Sequence, residues 1–218
     1  MSRRQSEICS SAFLPTHSRT SRVDGYLAAG YSGVVVTDHF NRITYNLMKY
    51  YDAPDEAQMF FDGYRLVKSE GEDRGLKVYR GAELRFDGSD NDYLIYNFPE
   101  EMLKDIHRVF AMTLEEFYKE FHTEDMLIIQ AHPYRDGCTA ADPRFLDGVE
   151  VENNSVGYDS HNHLALAFAQ QHPHLIRTSG SDCHVAADIA QGGIVLSELP
   201  QDEKQLVTLL RQGKFTLK

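Results

Sequence analysis

The chain has little cysteine. Cys9, Cys138 and Cys183 are its only three, an odd number with no C-x-x-C spacing, so no disulfide framework is implied. No apolar run approaches the length needed to cross a bilayer. Basic residues are scarce as well: 22 Lys and Arg stand against 33 Asp and Glu, for a formal net charge of −11. An extended nucleic-acid footprint rests on a basic patch and is therefore not expected. Arg3 and Arg4 near the start are not followed by an apolar segment of signal-peptide length, so a reducing cytoplasm is the expected location. There is no low-complexity tract, no internal repeat and no interdomain linker. No Gly-x-Ser-x-Gly element offers a covalent nucleophile. The remaining composition is that of an ordinary globular protein, 42% hydrophobic and 25% charged over 218 residues. It predicts one domain over residues 1–218, with residues 1–10 as a flexible start.

What the chain does have is a series of short apolar runs, six of which end in groups suited to metal ligation. Phe13-Leu14-Pro15-Thr16 leads to His17, Gly33 to Thr37 leads to Asp38-His39, and Leu76 to Ala82 leads to Glu83. Leu127 to Ala131 leads to His132, Gly148 to Val151 leads to Glu152-Asn153, and Leu175 to Ser181 leads to Asp182-Cys183-His184. Runs of this kind predict strands. If the strands are parallel, all six clusters emerge at one end of a sheet or barrel, the end at which α/β barrels carry their active sites. Imidazoles and carboxylates converging there suit Zn, Mn or Fe, with open positions left for water and substrate. Asp182 and His184, two apart in an extended segment, point to one side, and Cys183 between them points away as a small buried filler.

Helical patterns alternate with these runs. Ser21-Arg22-Val23-Asp24 has the spacing of a capping box for a short helix ending near Gly30. Pro54-Asp55-Glu56 opens a longer helix with Phe60, Tyr64 and Val67 on one face, stopping by Gly75. Thr113-Leu114-Glu115-Glu116 is a second capping box, with Leu114, Phe117 and Phe121 facing inward. Leu164 to Gln171 is helical until Pro173, and Asp202 to Gln212 is an amphipathic helix closed by Gly213. Tyr93 to Tyr96 predicts a strand soon after the Glu83 strand, Phe215 to Leu217 a last one, and residues 133–147 an active-site loop.

Thr37-Asp38-His39, Gly81-Ala82-Glu83, Ala131-His132-Pro133 and Gly180-Ser181-Asp182-Cys183-His184 resemble, in order and rough spacing, the successive motifs of the PHP family. These are the polymerase-and-histidinol-phosphatase metallohydrolases, and the resemblance runs from about Phe13 to the C-terminus. It implies an α/β fold, a distorted seven-stranded (β/α) barrel with its metal site at the C-terminal ends of the strands. Two or three divalent ions, Mn, Fe or Zn, are implied there. Glu83 is similar to the family's bridging carboxylate. Asp182 and His17 would belong to one ion, and His39, His132 and His184 to the others. The chain departs from the pattern twice. The family's opening His-x-His pair is here Pro15-Thr16-His17, and proline has no donor atom, so the first ion loses a ligand. Tyr93 stands where several members carry a further histidine.

Some residues stay open between roles. Asp38 could cap the turn after its strand, orient a metal-bound imidazole, or ligate directly. Arg135 could contact a substrate phosphate bidentately or lie on the surface, and Asn153 is a candidate for lining the site. Tyr45, Tyr50 and Tyr51 form either an aromatic wall or ordinary packing. His161 and His163 lie two apart on a predicted helix, roughly 200° apart around it, and chelate poorly. His172 and His174 flank Pro173 at a helix end, and His107 and His122 are taken as structural. The expected activity is metal-dependent hydrolysis of a small phosphorylated substrate by an activated water, with Glu83, His39 and Arg135 as catalytic groups. The alternatives are a non-catalytic or regulatory binding module on the same fold with a degraded metal site, and amide hydrolysis on a related metal barrel.

Overall fold

The computed structural model describes residues 6–11, 19–48 and 58–218. Among these, ten strands form one mixed sheet. They are β1 (Ser6–Ser11), β2 (Gly33–Val36), β3 (His39–Phe40), β4 (Lys77–Arg85), β5 (Asp92–Tyr96), β6 (Leu127–Gln130), β7 (Gly148–Asn153), β8 (Ile176–Gly180), β9 (Ile194–Leu196) and β10 (Phe215–Leu217). The order across the sheet is β10-β9-β1-β2-β4-β5-β6-β7-β8, with β3 paired to β4 off this path. The helices are α1 (Arg19–Ala28), α2 (Arg42–Met48), α3 (Asp62–Glu72), α4 (Ile106–Phe110), α5 (Leu114–Phe121), α6 (Asn162–Gln171) and α7 (Glu203–Arg211). None among the described residues is long and apolar enough to cross a membrane.

Strand direction follows from the pairings. β1, β2 and β4 are mutually parallel, as are β6, β7 and β8. β5 is antiparallel to both β4 and β6, so the two parallel sets run the same way. β2, β5 and β6 are buried along their whole length, as strands covered on both faces must be.

Alternation sorts the side chains. On β4, Tyr79, Gly81 and Glu83 share one face and Val78, Ala82 and Leu84 the other. Val78 packs with Val34, Val36 and Val67 against α1 and α3. Leu84 joins Phe40, Phe98, Phe110 and Phe117 beneath α4 and α5. Tyr79 joins Leu94, Ile129 and Leu196 with Leu206 and Leu210 of α7, and its hydroxyl donates to the Pro200 carbonyl at 2.7 Å.

This is a curled sheet rather than the expected seven-stranded (β/α) barrel. β8 returns beside β1 and β9, but no ladder joins it to β1 among the described residues. Two features break the barrel pattern: the β4–β5 hairpin reverses one strand, and antiparallel β9 takes the edge of β1.

Other expected elements are present, differ in their bounds or lie outside the described residues. The first strand occupies Ser6–Ser11, which overlaps residues 1–10. The strand expected at Phe13 to Thr16, with Pro15 and His17 after it, lies outside the described residues. So do the helix start at Pro54 and the residues Tyr50 and Tyr51. Ser21 sits inside α1, not at its cap. The Thr113 capping box is present, with Thr113 Oγ1 accepting from the Glu116 amide and the Glu116 carboxylate from the Thr113 amide. Helix α7 is capped by Asp202, and Gly213 beyond it has φ +63°.

Candidate metal centre

The common direction of β3, β4, β6 and β8 brings residues at or just beyond their C-terminal ends to one end of the sheet, where they line a cavity of about 410 Å³. His39 comes from β3, which follows β2 after two residues, and Glu83 from the end of β4. His132 follows β6, and Asp182 and His184 follow β8. Because β5 runs the other way, its first residue, Asp92, arrives at the same end and also lines the cavity.

Glu83 sits at the centre with its two oxygens divided. Oε1 is 3.3 Å from His132 Nε2, and Oε2 is 3.5 Å from His39 Nδ1. His132 Nε2 is also 3.7 Å from Asp92 Oδ2, and His39 Nε2 lies 3.3 Å from His184 Nε2. On the far wall Asp182 Oδ1 is 3.3 Å from His184 Nδ1. Its Oδ2 accepts from Arg135 at 2.8 Å and from the Asn153 amide at 3.2 Å. Arg135 donates further to Asn153 Oδ1 at 2.8 Å and Ser160 Oγ at 3.1 Å, and its guanidinium lies 4.9 Å from the centroid of the Tyr158 ring.

The backbone is strained where donors are presented. His132 has φ +27° and Asp182 φ +44°, a region that L-residues enter at a cost and that clusters at functional sites. Both lie two residues beyond the ends of their strands, β6 and β8.

Buried charge is dense and unevenly balanced. Burial pushes the Glu83 carboxyl up, but His39, His132 and His184 outweigh it and hold the group at about 2. His132 is held well above the usual imidazole range: burial lowers it, while Cys138 and Glu83 raise it by more. Asp92 is raised by burial and by the Glu83 charge, against the pull of Arg85, with which it pairs through both oxygens, one bond being 2.7 Å. Glu150, behind His132, is raised to about 7 by burial, with the nearby Asp182 charge adding to it. It accepts from the His132 amide at 3.1 Å and from Asn153 at 2.8 Å.

The donor set fits a divalent cation. Glu83, Asp92 and His132 each offer an atom within 4.8 Å of the others, and no other such group of three occurs among the described residues. His39 Nδ1 is buried with no hydrogen-bond partner among the described residues. Two imidazole nitrogens facing each other at 3.3 Å, and donor atoms converging at Glu83, are arrangements that a shared cation satisfies.

Of the residues singled out in the sequence, His39, Glu83, His132, Arg135, Asp182 and His184 line the cavity. Asn153 stands behind them, bonded to Arg135 and Asp182. Asp38 is turned to the first turn of α3, where its carboxylate lies against Gly63 and leaves no room for a Cβ. Cys183 is fully buried. His161, His163, His172 and His174 do not line the cavity. His122 bonds Asp147 at 3.0 Å and stacks on Tyr118, and His107 meets Arg42 and Tyr45. Tyr93 packs with Phe86 in the core.

Asp92, Arg85, Cys138 and Tyr158 also line the cavity, and none of them closes an apolar run that would single it out in the sequence. For Asp92 the signal is the Asp/Asn/Gly/Ser hairpin itself, since a strand that reverses direction delivers its first residue, not its last, to the site.

Residues 159–215 match the PHP-associated family model. No curated protein matches the chain in sequence. Among solved structures, PsfC from Pseudomonas syringae is 18% identical with a TM-score of 0.62, over 90% of this chain and 83% of that one. A two-domain protein from Bacteroides vulgatus with a predicted PHP-like metal-dependent phosphoesterase is 12% identical with a TM-score of 0.64. That match covers 99% of this chain, which spans only 65% of the other. A protein from Bifidobacterium adolescentis named as a metal-dependent phosphoesterase is 16% identical, TM-score 0.51, over 94% and 95% of the two chains. At these identities the structures share a fold. The C-terminal match and the fold agree with the resemblance to the PHP family that the order of the sequence motifs carries.

Proposed function

We propose that the cavity hydrolyses a phosphate ester of a small molecule with the help of bound divalent ions. The observation that carries this reading is Glu83, whose two oxygens face different imidazoles at 3.3 and 3.5 Å, the disposition of a carboxylate shared between two ions. Glu83, Asp92 and His132 would hold one ion of Mn, Fe or Zn. A second, shared through Glu83, would need His39 and His184 to turn their rings toward one point, since their donor atoms do not converge with Glu83 as those three do. Such ions supply Lewis-acid polarisation of a phosphoryl oxygen and a water acidified toward neutrality.

The chain's own groups do the rest. Arg135, fixed by Asp182, Asn153 and Ser160, places a permanent positive charge on the wall where a phosphate would enter. Glu150 and Asn153 hold the His132 backbone and Asp182 from behind, so that the donors keep their places without reorganisation. No side chain is needed as a covalent nucleophile.

Asp182 Oδ2 is engaged by Arg135 at 2.8 Å, and its Oδ1 faces His184 at 3.3 Å. The deciding experiment is metal analysis with a phosphatase panel. Protein reconstituted with Mn or Zn should hydrolyse phosphomonoesters and lose this activity with chelator. Glu83→Ala should cost at least about 10³-fold in kcat, the scale of removing a principal electrostatic stabiliser, while keeping the far-UV spectrum. Metal-loaded protein that binds phosphate esters without turnover would favour the binding module. Turnover of amides alone would replace phosphate chemistry altogether.

A further inference from the structure

Tyr158 is an exposed aromatic residue that the hydrolytic reading does not use. It is 62% exposed, and single exposed apolar residues are common and need no explanation. Its setting makes it different. The ring lines the same cavity as the metal-type donors, and one face lies over the Arg135 guanidinium, 4.9 Å from centroid to carbon. That guanidinium is itself held by Asp182, Asn153 and Ser160.

The segment is anchored on both sides of the ring, by a backbone amide before it and a side-chain hydroxyl after it. Val156 N donates to Asp188 Oδ1 at 2.7 Å. The other oxygen of that buried carboxylate takes the amides of His184 and Val185 at 2.9 and 2.8 Å. Gly157 between Val156 and Tyr158 has φ +113°, a conformation that glycine adopts without strain. After Tyr158, Ser160 Oγ meets Asn153 Oδ1 at 3.3 Å. One carboxylate thus joins the loop carrying Tyr158 to the segment carrying His184.

We infer that Tyr158 is a stacking platform at the mouth of the site and that the phosphate ester it selects carries a neutral planar aromatic group on its alcohol side. This rests on the proposed phosphoesterase reading and narrows it to one substrate class. A ring carried on an anchored loop and resting on the Arg135 guanidinium stacks with less ordering cost than one on a mobile loop would incur. A quaternary ammonium group, the other common partner of an exposed aromatic face, would meet the Arg135 charge behind the ring. Acyclic polyol phosphates would gain nothing from it.

The test uses matched probes on Zn-reconstituted protein. Binding of the hydrolysis-resistant 2-naphthylmethylphosphonate and propylphosphonate is measured by calorimetry, with phosphocholine as a cationic control. Turnover of 2-naphthyl phosphate and glycerol 3-phosphate is followed alongside. The wild-type protein should prefer the naphthyl phosphonate by about tenfold, equivalent to about 1.4 kcal/mol. The preference should persist in Tyr158→Phe and fall toward unity in both Tyr158→Ala and Tyr158→Leu, the latter keeping apolar bulk without a ring face. Equal binding of the two phosphonates by wild type, an unchanged ratio in the variants, or tighter binding of phosphocholine would overturn the inference. If neither ester is turned over while the binding ratio behaves as stated, the phosphoesterase reading fails and the aromatic platform stands. If the esters are turned over with no Tyr158-dependent ratio, the phosphoesterase reading stands and the platform fails.

Discussion

Two buried glutamates in the same interior titrate in opposite directions, and the cause is what each faces. Glu83 looks out at three imidazoles and is held at about 2. Glu150 lies one layer behind, where burial, with Asp182 adding to it, raises it to about 7 despite the nearby His132. Unfolding returns Glu150 to its ordinary 4.5. Between that value and about 7 the native protein keeps a proton that the unfolded chain has released, so stability declines as pH rises through this window. Glu83 is ionised in both states there and contributes no slope; its own stabilisation is present above 4.5 and is lost as pH falls toward about 2. Glu150→Gln keeps a carbonyl to accept from the His132 amide and removes the ionisation. In chelator-treated protein, urea unfolding at pH 5 and pH 8 should show the variant gaining on wild type as pH rises, by up to about 3 kcal/mol. A gap that is the same at both pH values would mean that Glu150 is not protonated in the native state.

At the scale of elements, the sequence is most legible where a strand simply ends. Thr37-Asp38-His39, Glu83, His132 and Asp182-Cys183-His184 all close runs that form β2, β4, β6 and β8, because continuous apolar runs and their polar stops are local properties. The Thr113 cap is legible for the same reason. Features decided by distant packing are not. Asp92 reaches the site only because β5 reverses, Ser21 is no cap because α1 begins two residues earlier, and α4, five residues long, is too short to show a period. Gly81 is an instance of local sequence set by a long-range fit. A Cβ there would stand 2.9 Å from Thr37 Cγ2, 3.0 Å from the Ile95 carbonyl and 3.2 Å from Val35 Cγ1. β2, β4 and β5 meet too closely at this point for any side chain, and Glu83 is the next residue on the same face. Gly81→Ala should therefore destabilise by about 2 kcal/mol in urea unfolding, the scale of overpacking a well-filled interior, and should weaken metal retention as Glu83 is displaced. An unaffected midpoint would show that the strands can separate by the few tenths of an ångström required.

Across the whole molecule, the curled sheet carries an apolar filling at one end and ionisable groups at the other. Tyr79 and Ile129 pack with the leucines of α7, while Glu83 and His132 crowd the opposite end. Hydrophobic burial stabilises the apolar end irrespective of ligand. The other end contains carboxylates and imidazoles whose mutual fit improves when a cation is shared between them, in a chain whose formal charge is already −11. A divalent ion that binds only the folded state adds RT ln(1 + [L]/Kd), about 2.7 kcal/mol at a hundredfold excess over Kd. For a chain of this size that corresponds to a rise in Tm of roughly 5–10 °C. Scanning calorimetry of Zn- or Mn-loaded protein against chelated protein should show that rise. Glu83→Ala should remove most of it, because the residue stands between both groups of donors. A Tm indifferent to metal in the wild-type protein would leave the crowded imidazoles and carboxylates without the cation their geometry calls for, and the end of the sheet would then have to be held by protonated histidines alone.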